Sequence, residues 1–147
     1  MCLAQAADVF GTGIVAGAFF ISTLAVNPAA AKLDASPHIV LRQELIRRLA
    51  KYMPPFMLLP VAASVAAMAL CRTRVWSLPD AFGLGLSLVT VAITVGINAP
   101  LNRRFVQWSA KAPPHDWERF VHRWNVANWA RMTTAIAAFA CAVLGAG

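Results

Sequence analysis

Four apolar runs, each close to the length of a membrane-crossing helix, constrain the fold of this chain more than any other feature. The runs cover residues 3–26, 54–71, 78–98 and 129–146. About 20 mostly apolar residues cross a bilayer as one helix. The composition agrees, because 59% of the residues are hydrophobic and only 13% are charged, whereas soluble domains carry about 25% charged residues. The sequence therefore predicts a single transmembrane domain, residues 1–147.

Backbone groups inside hydrocarbon must be hydrogen-bonded internally, so the four runs predict an all-α, integral membrane four-helix bundle. The first run is expected to be a retained span, since no Lys or Arg precedes it and it is too long for the apolar part of a signal peptide.

Two of the connecting segments have a helical pattern of their own. PHIVLRQELIRRLAKYMPP, residues 37–55, has apolar residues at helical spacing. It predicts a short amphipathic helix in the first loop, at the inner membrane surface, with Pro54 and Pro55 starting the second span. PPHDWERFVHRW, residues 113–124, runs into the fourth span without a helix breaker. It predicts a long, projecting fourth helix over residues 115–146.

The basic residues indicate an orientation. The first and third loops each hold five Lys or Arg residues, whereas the second loop holds only Arg72 and Arg74 and the termini hold none. Because positively charged loops stay on the cytoplasmic side, loops 27–53 and 99–128 are predicted to be cytoplasmic, with both termini outside an inner or plasma membrane. The net charge of +7 thus reflects topology, and nucleic acid is not expected as a partner.

The cysteines and histidines do not predict a metal site. Cys2, Cys71 and Cys141 are far apart, and the sequence contains no CxxC or closely spaced Cys/His pair, so we expect small buried hydrophobic residues rather than a disulfide framework or a zinc site. Since carboxylates are scarce and no two histidines have chelating spacing, a di-iron site of the bundle type is not expected either.

A polar stripe follows the third span. Thr90, Thr94, Asn98 and Asn102 are each four residues apart, so they share one face of a helix that continues through Pro100. Polar residues on an otherwise apolar span are expected to face the bundle interior. Pro100 removes one backbone hydrogen bond and frees a carbonyl group near Asn98.

A second stripe follows the fourth helix, through Trp117, Val121, Trp124, Asn128 and Arg131. Only fifteen residues separate Arg131 from Ala146, about 22 Å of helix, so a hydrocarbon core of about 30 Å would place this charge inside the bilayer. Two interpretations remain open. Arg131 faces a cavity or a partner within the bundle, or its side chain extends to the inner interface.

Together these residues predict one site at the cytoplasmic ends of the helices. The first loop adds a histidine and an arginine four residues apart on one helix face. The candidate residues are His38, Arg42, Asn98, Asn102, Trp108, Trp124, Asn128 and Arg131. The alternative is an ordinary inner-leaflet interface, in which tryptophans anchor the helices, arginines obey the charge rule and asparagines end helices.

Three short patterns resemble the anthrone oxygenase-like family of small four-helix membrane proteins. They are HxxLR at His38–Arg42, PLN at Pro100–Asn102 and RWxxxNxxR at Arg123–Arg131. With the four spans, their order and spacing cover nearly the whole chain. The resemblance implies a membrane-bound oxygenase that oxidises an activated aromatic methylene, as in an anthrone-like polyketide, to a quinone with O2. Such enzymes first deprotonate the substrate, and some members need no metal or flavin.

The resemblance and the residue chemistry together suggest catalytic roles. His38 is the expected base, because an imidazole titrates near neutral pH. Arg131, together with Asn98 or Asn102, is expected to stabilise the enolate oxygen.

Substrate-binding roles follow from the same resemblance and residue chemistry. Trp108 and Trp124 are expected to stack on the substrate rings, with Arg42 and Asn128 completing the binding set. The expected partners are the lipid bilayer, a small lipophilic aromatic substrate and O2, and homo-oligomerisation is left open. No resident cofactor is predicted, but two alternatives remain: a non-catalytic protein that binds a lipophilic molecule, and a heme- or copper-dependent membrane oxidase.

Overall fold

The structure, a computed structural model, describes residues 2–71 and 77–147. Within these two ranges, four helices are long and apolar enough to cross a membrane: α1 (Leu3–Ala30), α2 (Ala35–Leu70), α3 (Leu78–Gln107) and α4 (Trp117–Ala146). The predicted all-α membrane four-helix bundle is therefore confirmed. Arg72 and Arg74, on which part of the predicted orientation rests, lie outside the described residues.

Helix α2 differs from the sequence prediction in its extent. The predicted amphipathic segment is helical, but it forms one continuous 36-residue helix with the second span and runs through Pro54, Pro55 and Pro60. His38, Ile39, Arg42 and Gln43 are buried, so the first turns of α2 pack onto the bundle rather than lying on the membrane surface. This packing stabilises the helix although each internal proline removes a backbone hydrogen bond.

Helices α1 and α3 share an irregularity that the sequence did not predict. Each contains a five-residue π-helical segment, Ser22–Val26 in α1 and Thr94–Asn98 in α3. Each segment precedes a proline, Pro28 or Pro100. A proline has no N–H group and its ring clashes with the preceding turn, and a π turn widens the helix there. Such turns are frequent at functional sites, and both lie near the end of the bundle that carries the two longer loops.

Helix α4 confirms the predicted long fourth helix. It packs against α3 and α1 through a row of small buried residues that includes Ala135, Ala138 and Ala142. A Cβ atom on Gly83 of α3 would lie 3.2 Å from the Cβ of Cys141 in α4. Small residues allow membrane helices to approach this closely.

The cysteine prediction was wrong. Cys2 and Cys71 form a disulfide, with 6.4 Å between their Cα atoms, while Cys141 is free. The bond joins the start of α1 to the end of α2, because the two helices are antiparallel neighbours and their ends meet. A sequence separation of 69 hid this pairing.

Candidate functional site

Helix α4 supplies the buried centre of the site. Asn128 is 0% exposed and Arg131 is 5% exposed, and the Nη2 group of Arg131 donates a hydrogen bond to Asn128 Oδ1. Asn128 Nδ2 in turn donates to Thr23 Oγ1 in α1 at 2.6 Å. The guanidinium group of Arg131 therefore faces the bundle interior and is connected to α1, rather than extending to the membrane interface.

The α3 stripe lies against α4. Nearer the middle of the bundle, the hydroxyl groups of Thr90 and Thr134 are 2.7 Å apart. One turn further along α3, the Nη1 group of Arg131 donates to Thr94 Oγ1 at 3.4 Å. Thr94 belongs to the π segment of α3, so this irregular turn contributes directly to the surroundings of Arg131.

The two asparagines of the stripe hold Trp124. Asn98 is 0% exposed, and its Nδ2 group donates to the backbone carbonyl of Trp124 at 3.4 Å. Asn102 Oδ1 accepts a hydrogen bond from the indole Nε1 of Trp124 at 2.8 Å. The tryptophan ring is thereby oriented by α3, although it belongs to α4.

His38 and Arg42 enter the site from α2. His38 is buried, and its Nδ1 lies 2.8 Å from the carbonyl oxygen of Ala30. Because a carbonyl only accepts, Nδ1 carries the proton and Nε2 keeps its lone pair. Arg42 Nε donates to that lone pair over a long distance of 3.4 Å. The edge of the imidazole ring contacts Trp117, with ring centroids 5.1 Å apart.

One aromatic ring connects the two buried arginines. The Cζ of Arg42 lies 4.6 Å from the ring centroid of Trp124, and the Cζ of Arg131 lies 5.4 Å from the same centroid. Arg42 also stacks on Phe105, and Arg131 stacks on Phe19. Cation–π contacts of this kind stabilise a desolvated guanidinium in part.

Neither of these arginines has an acidic partner. In the part of the chain that the structure describes, the ion pair formed is Arg48 with Glu44, on the exposed face of α2. Two polar atoms at the site are also buried without a hydrogen-bond partner, Asn98 Oδ1 and Arg131 Nε. Buried polar atoms are normally satisfied, so this unpaired acceptor and donor are available to bind a polar group.

Trp108 lies at the edge of the site. Its ring packs edge-on against Phe105 and Phe120, in the same apolar cluster as Trp124. Gln43 donates to the carbonyl groups of both Phe105 and Trp108, at 2.8 and 2.9 Å, and so fixes the end of α3 to α2.

Sequence reasoning missed Thr23, Phe19 and Gln43. Thr23 binds Asn128, and Phe19 stacks on Arg131. A signal for Thr23 was present, because Thr23 and Asn27 are four residues apart shortly before Pro28, as Thr94 and Asn98 are before Pro100.

Two cavities lie elsewhere in the bundle. One of about 40 Å³ is at the disulfide end and is lined by residues such as Asp8, Ser64 and Asp80. The other, of about 10 Å³, is in the middle and is lined by residues such as Met57 and Ala135. Neither is lined by the eight candidate residues, whose side chains contact one another or neighbouring aromatic rings. A substrate would therefore have to separate weak internal contacts, such as that between Arg42 and His38.

A comparison with protein families matches the part of the chain that contains most of the candidate site. A family model described as anthrone oxygenase matches residues 43–141, which is more than half of the sequence. The matched segment contains six of the eight candidate residues and begins directly after Arg42. No curated protein matches the chain, and no solved structure does. Among the described residues, no group of three or more His, Cys, Asp or Glu side chains is placed to hold a metal ion.

Proposed function

The chain belongs to the anthrone oxygenase family, and from this premise we propose that it is a membrane-bound monooxygenase that converts an anthrone-like aromatic methylene to a quinone with O2. The observation that carries the proposal is the buried cluster around Arg131. A cation at membrane depth is costly. Here its own Nε is a buried donor without a partner, Asn98 Oδ1 is a buried acceptor without one, and both residues lie within the segment that matches the family.

The chemistry requires a base, an oxyanion site and O2. Removal of one methylene proton gives a delocalised anthranolate, whose reacting carbon forms a bond to O2 and, after protonation, a hydroperoxide. Loss of the second hydrogen and cleavage of the O–O bond release water and leave a carbonyl group. One oxygen atom of O2 enters the quinone and the other enters water, and the methylene supplies all four electrons.

His38 is the proposed base. Its Nδ1–H group is held by the carbonyl of Ala30, which leaves Nε2 to accept the methylene proton. The contact of Nε2 with Arg42 is long, so a substrate can replace it. A positioned base of this kind typically contributes about 10²- to 10⁴-fold to a rate.

Arg131 is the proposed partner of the enolate oxygen. Its buried guanidinium group lies in surroundings of low polarity, where charge stabilisation is stronger than in water. Asn128 and Thr94 hold the two terminal nitrogens, which leaves Nε unpaired. Asn98 and Asn102 are the proposed auxiliary groups, since both are already directed to the same tryptophan.

Trp124 and Trp108 are the proposed aromatic walls of the substrate site, with Arg42 and Asn128 as binding residues. The ring nitrogen of Trp124 donates a hydrogen bond to Asn102, which fixes the orientation of the indole plane. Aromatic faces of this type stack on flat, fused rings. The reaction as written needs no resident cofactor, because the anthranolate itself reduces O2.

The proposed orientation places the site near the cytoplasmic face, with both termini outside and loops 27–53 and 99–128 inside. The ten-to-two distribution of basic residues among the loops supports it. The disulfide at the terminal end supports it as well. A lipophilic substrate would then reach the site from the cytoplasm or from the inner leaflet.

Isotope labelling tests the proposed reaction. Detergent-purified protein is supplied with anthrone and ¹⁸O2, and the spontaneous rate is subtracted. The proposal predicts protein-dependent quinone with one ¹⁸O atom, and a second ¹⁸O atom in water. Folded protein with no effect on any anthrone tested would favour a lipophilic-ligand-binding protein instead. A visible absorption band or a bound metal in proportion to activity would favour a cofactor-dependent oxidase.

A further inference from the structure

The site contains two buried guanidinium groups, whereas the proposed reaction develops one oxyanion. Arg131 is assigned to that oxyanion, which leaves the positive charge of Arg42 unmatched. Arg42 is 7% exposed, so it is nearly as buried as Arg131. It belongs to α2, and its Cζ lies 4.6 Å from the centroid of the Trp124 ring that Arg131 also contacts.

The local contacts of Arg42 do not satisfy its charge. A guanidinium group has five N–H donors, and the acceptor that the structure gives it is His38 Nε2, at 3.4 Å from Nε and 3.5 Å from Nη2. Phe105 and Trp124 stack on it, but stacking supplies no negative charge to balance the guanidinium group. A buried cation without a counter-ion is costly.

Arg42 forms no ion pair within the described residues, although Asp34, Asp116 and Glu118 lie at the same end of the bundle. Glu44 points to the exposed side of α2 and pairs with Arg48 at 2.6 Å. Asp8 and Asp80 line the cavity at the disulfide end of the bundle, far along the helices. The counter-charge that matches Arg42 is therefore expected to arrive with the ligand.

We infer that Arg42 binds an ionised carboxylate on the substrate and determines specificity for it. This inference rests on the proposed function and narrows the substrate class to an anthrone that carries a carboxylic acid. A carboxyl group is ionised at neutral pH, whereas a phenol is mostly neutral there. The planar guanidinium fork also matches a carboxylate with two parallel hydrogen bonds.

The spacing of the two arginines agrees with such a ligand. The Cζ atoms of Arg42 and Arg131 lie 4.6 and 5.4 Å from one indole centroid, so they are at most 10 Å apart. A fused three-ring aromatic holds its enolate oxygen and a carboxylate on an outer ring within that distance. The substrate would then lie along Trp124, with the enolate oxygen at Arg131 and the carboxylate at Arg42.

Two matched ligand pairs test the inference. The first pair is anthrone and anthrone-2-carboxylate as substrates. Wild-type protein is expected to have a kcat/KM at least about tenfold higher for the carboxylate, since one charge-assisted contact of this kind corresponds to roughly that factor. Arg42→Met should abolish the preference, and Arg42→Lys, which keeps the charge but loses the fork, should retain part of it.

The second pair is anthraquinone and anthraquinone-2-carboxylate, whose binding is measured by quenching of tryptophan fluorescence without any turnover. Wild-type protein should bind the carboxylate about tenfold more tightly, and Arg42→Met should not. If this preference is present while neither anthrone is oxidised, Arg42 is a carboxylate site and the oxygenase proposal fails. If wild-type protein oxidises and binds both members of each pair equally, the inference is overturned while the oxygenase proposal stands. These comparisons use wild-type protein alone, so they test the carboxylate inference even where Arg42→Met does not fold.

Discussion

The two halves of the bundle are stabilised by different interactions. The terminal half, around the Cys2–Cys71 disulfide and Gly83, is joined by a covalent bond, by close helix contacts and by the Ser77–Asp80 capping box that begins α3. The loop half, around His38, Asn98 and Arg131, contains two π segments and a buried network of amides, hydroxyls and cations.

The loop half contains the groups that lower the stability of the folded protein. Buried cations without acidic partners and unpaired polar atoms destabilise a fold, and the loop half contains both. The terminal half also contains a cavity and the unpaired Asp8 Oδ1. Its disulfide and its close α3–α4 contact offset part of the cost, because helices that are fixed at one end keep their positions at the other. Substitutions in the loop half should therefore change activity more than stability, and substitutions in the terminal half should do the opposite.

The largest expected effect is on the base in the loop half. His38→Ala should lower kcat by roughly 10²- to 10⁴-fold, with a much smaller change in KM, because the imidazole acts on the methylene proton. The measurement is the anthrone-dependent rate of quinone formation. His122→Ala, which alters an exposed histidine of α4, is the matched control and should be near wild type. A wild-type rate for His38→Ala would remove the assignment.

A carboxylate placed beside Arg131 should lower activity without lowering stability. Asn128→Asp gives the buried guanidinium an internal counter-ion, so it should lose activity by about 10²-fold, the effect of removing one oxyanion donor, while its thermal midpoint in detergent is unchanged or higher. Asn128→Leu loses the hydrogen bonds to Thr23 and Arg131 and should be less stable. If Asn128→Asp turned over normally, the charge of Arg131 would not be used in catalysis.

Loss of the disulfide in the terminal half should lower stability without lowering activity. Cys2→Ser is expected to lower the free energy of unfolding by about 2–4 kcal/mol, the usual effect of a disulfide that closes a long loop. The rate at 25 °C should stay near wild type, because the bond lies at the other end of the bundle from the candidate site. Cys141→Ser, at the free cysteine, is the control. A large loss of activity in folded Cys2→Ser protein would show that the halves are not independent.

The smallest effect is expected for helix packing between α3 and α4. Gly83→Ala should lower stability by about 1 kcal/mol, because its new methyl group would lie 3.2 Å from the Cβ of Cys141 and overpack the interface. Gly85 has no atom within 4 Å of the equivalent position, so Gly85→Ala should be neutral or slightly stabilising. Thermal midpoints of the two variants in detergent make the comparison. Equal midpoints would contradict the close packing.

Hydrophobic length and helical spacing were sufficient to predict most of the fold and much of the loop half. The four spans were visible as apolar runs, and the stripe through Thr94, Asn98 and Asn102 predicted a face of α3 that looks into the bundle, but not which helix it contacts. Arg131 was recognisable because the length of its span places the charge inside the bilayer, where it is costly.

The remaining features depend on contacts that sequence spacing does not encode. The disulfide joins residues whose proximity arises only when α1 and α2 pair along their full length. The continuity of α2 through Pro54 and Pro55 depends on the packing of its first turns, which outweighs a local helix-breaking signal. Thr23 was missed because the π segment before Pro28 determines its direction.

The proposal that anthrone is oxidised at the buried cluster around Arg131 is tested most directly by the rate of oxygen uptake with anthrone by Arg131→Met, measured beside wild-type protein of equal folded fraction. We expect a loss of about 10²-fold or more, with a thermal midpoint that is unchanged or raised, because the substitution removes a buried charge. Normal oxygen uptake by folded Arg131→Met would show that the buried cluster of the loop half is not the site of anthrone oxidation.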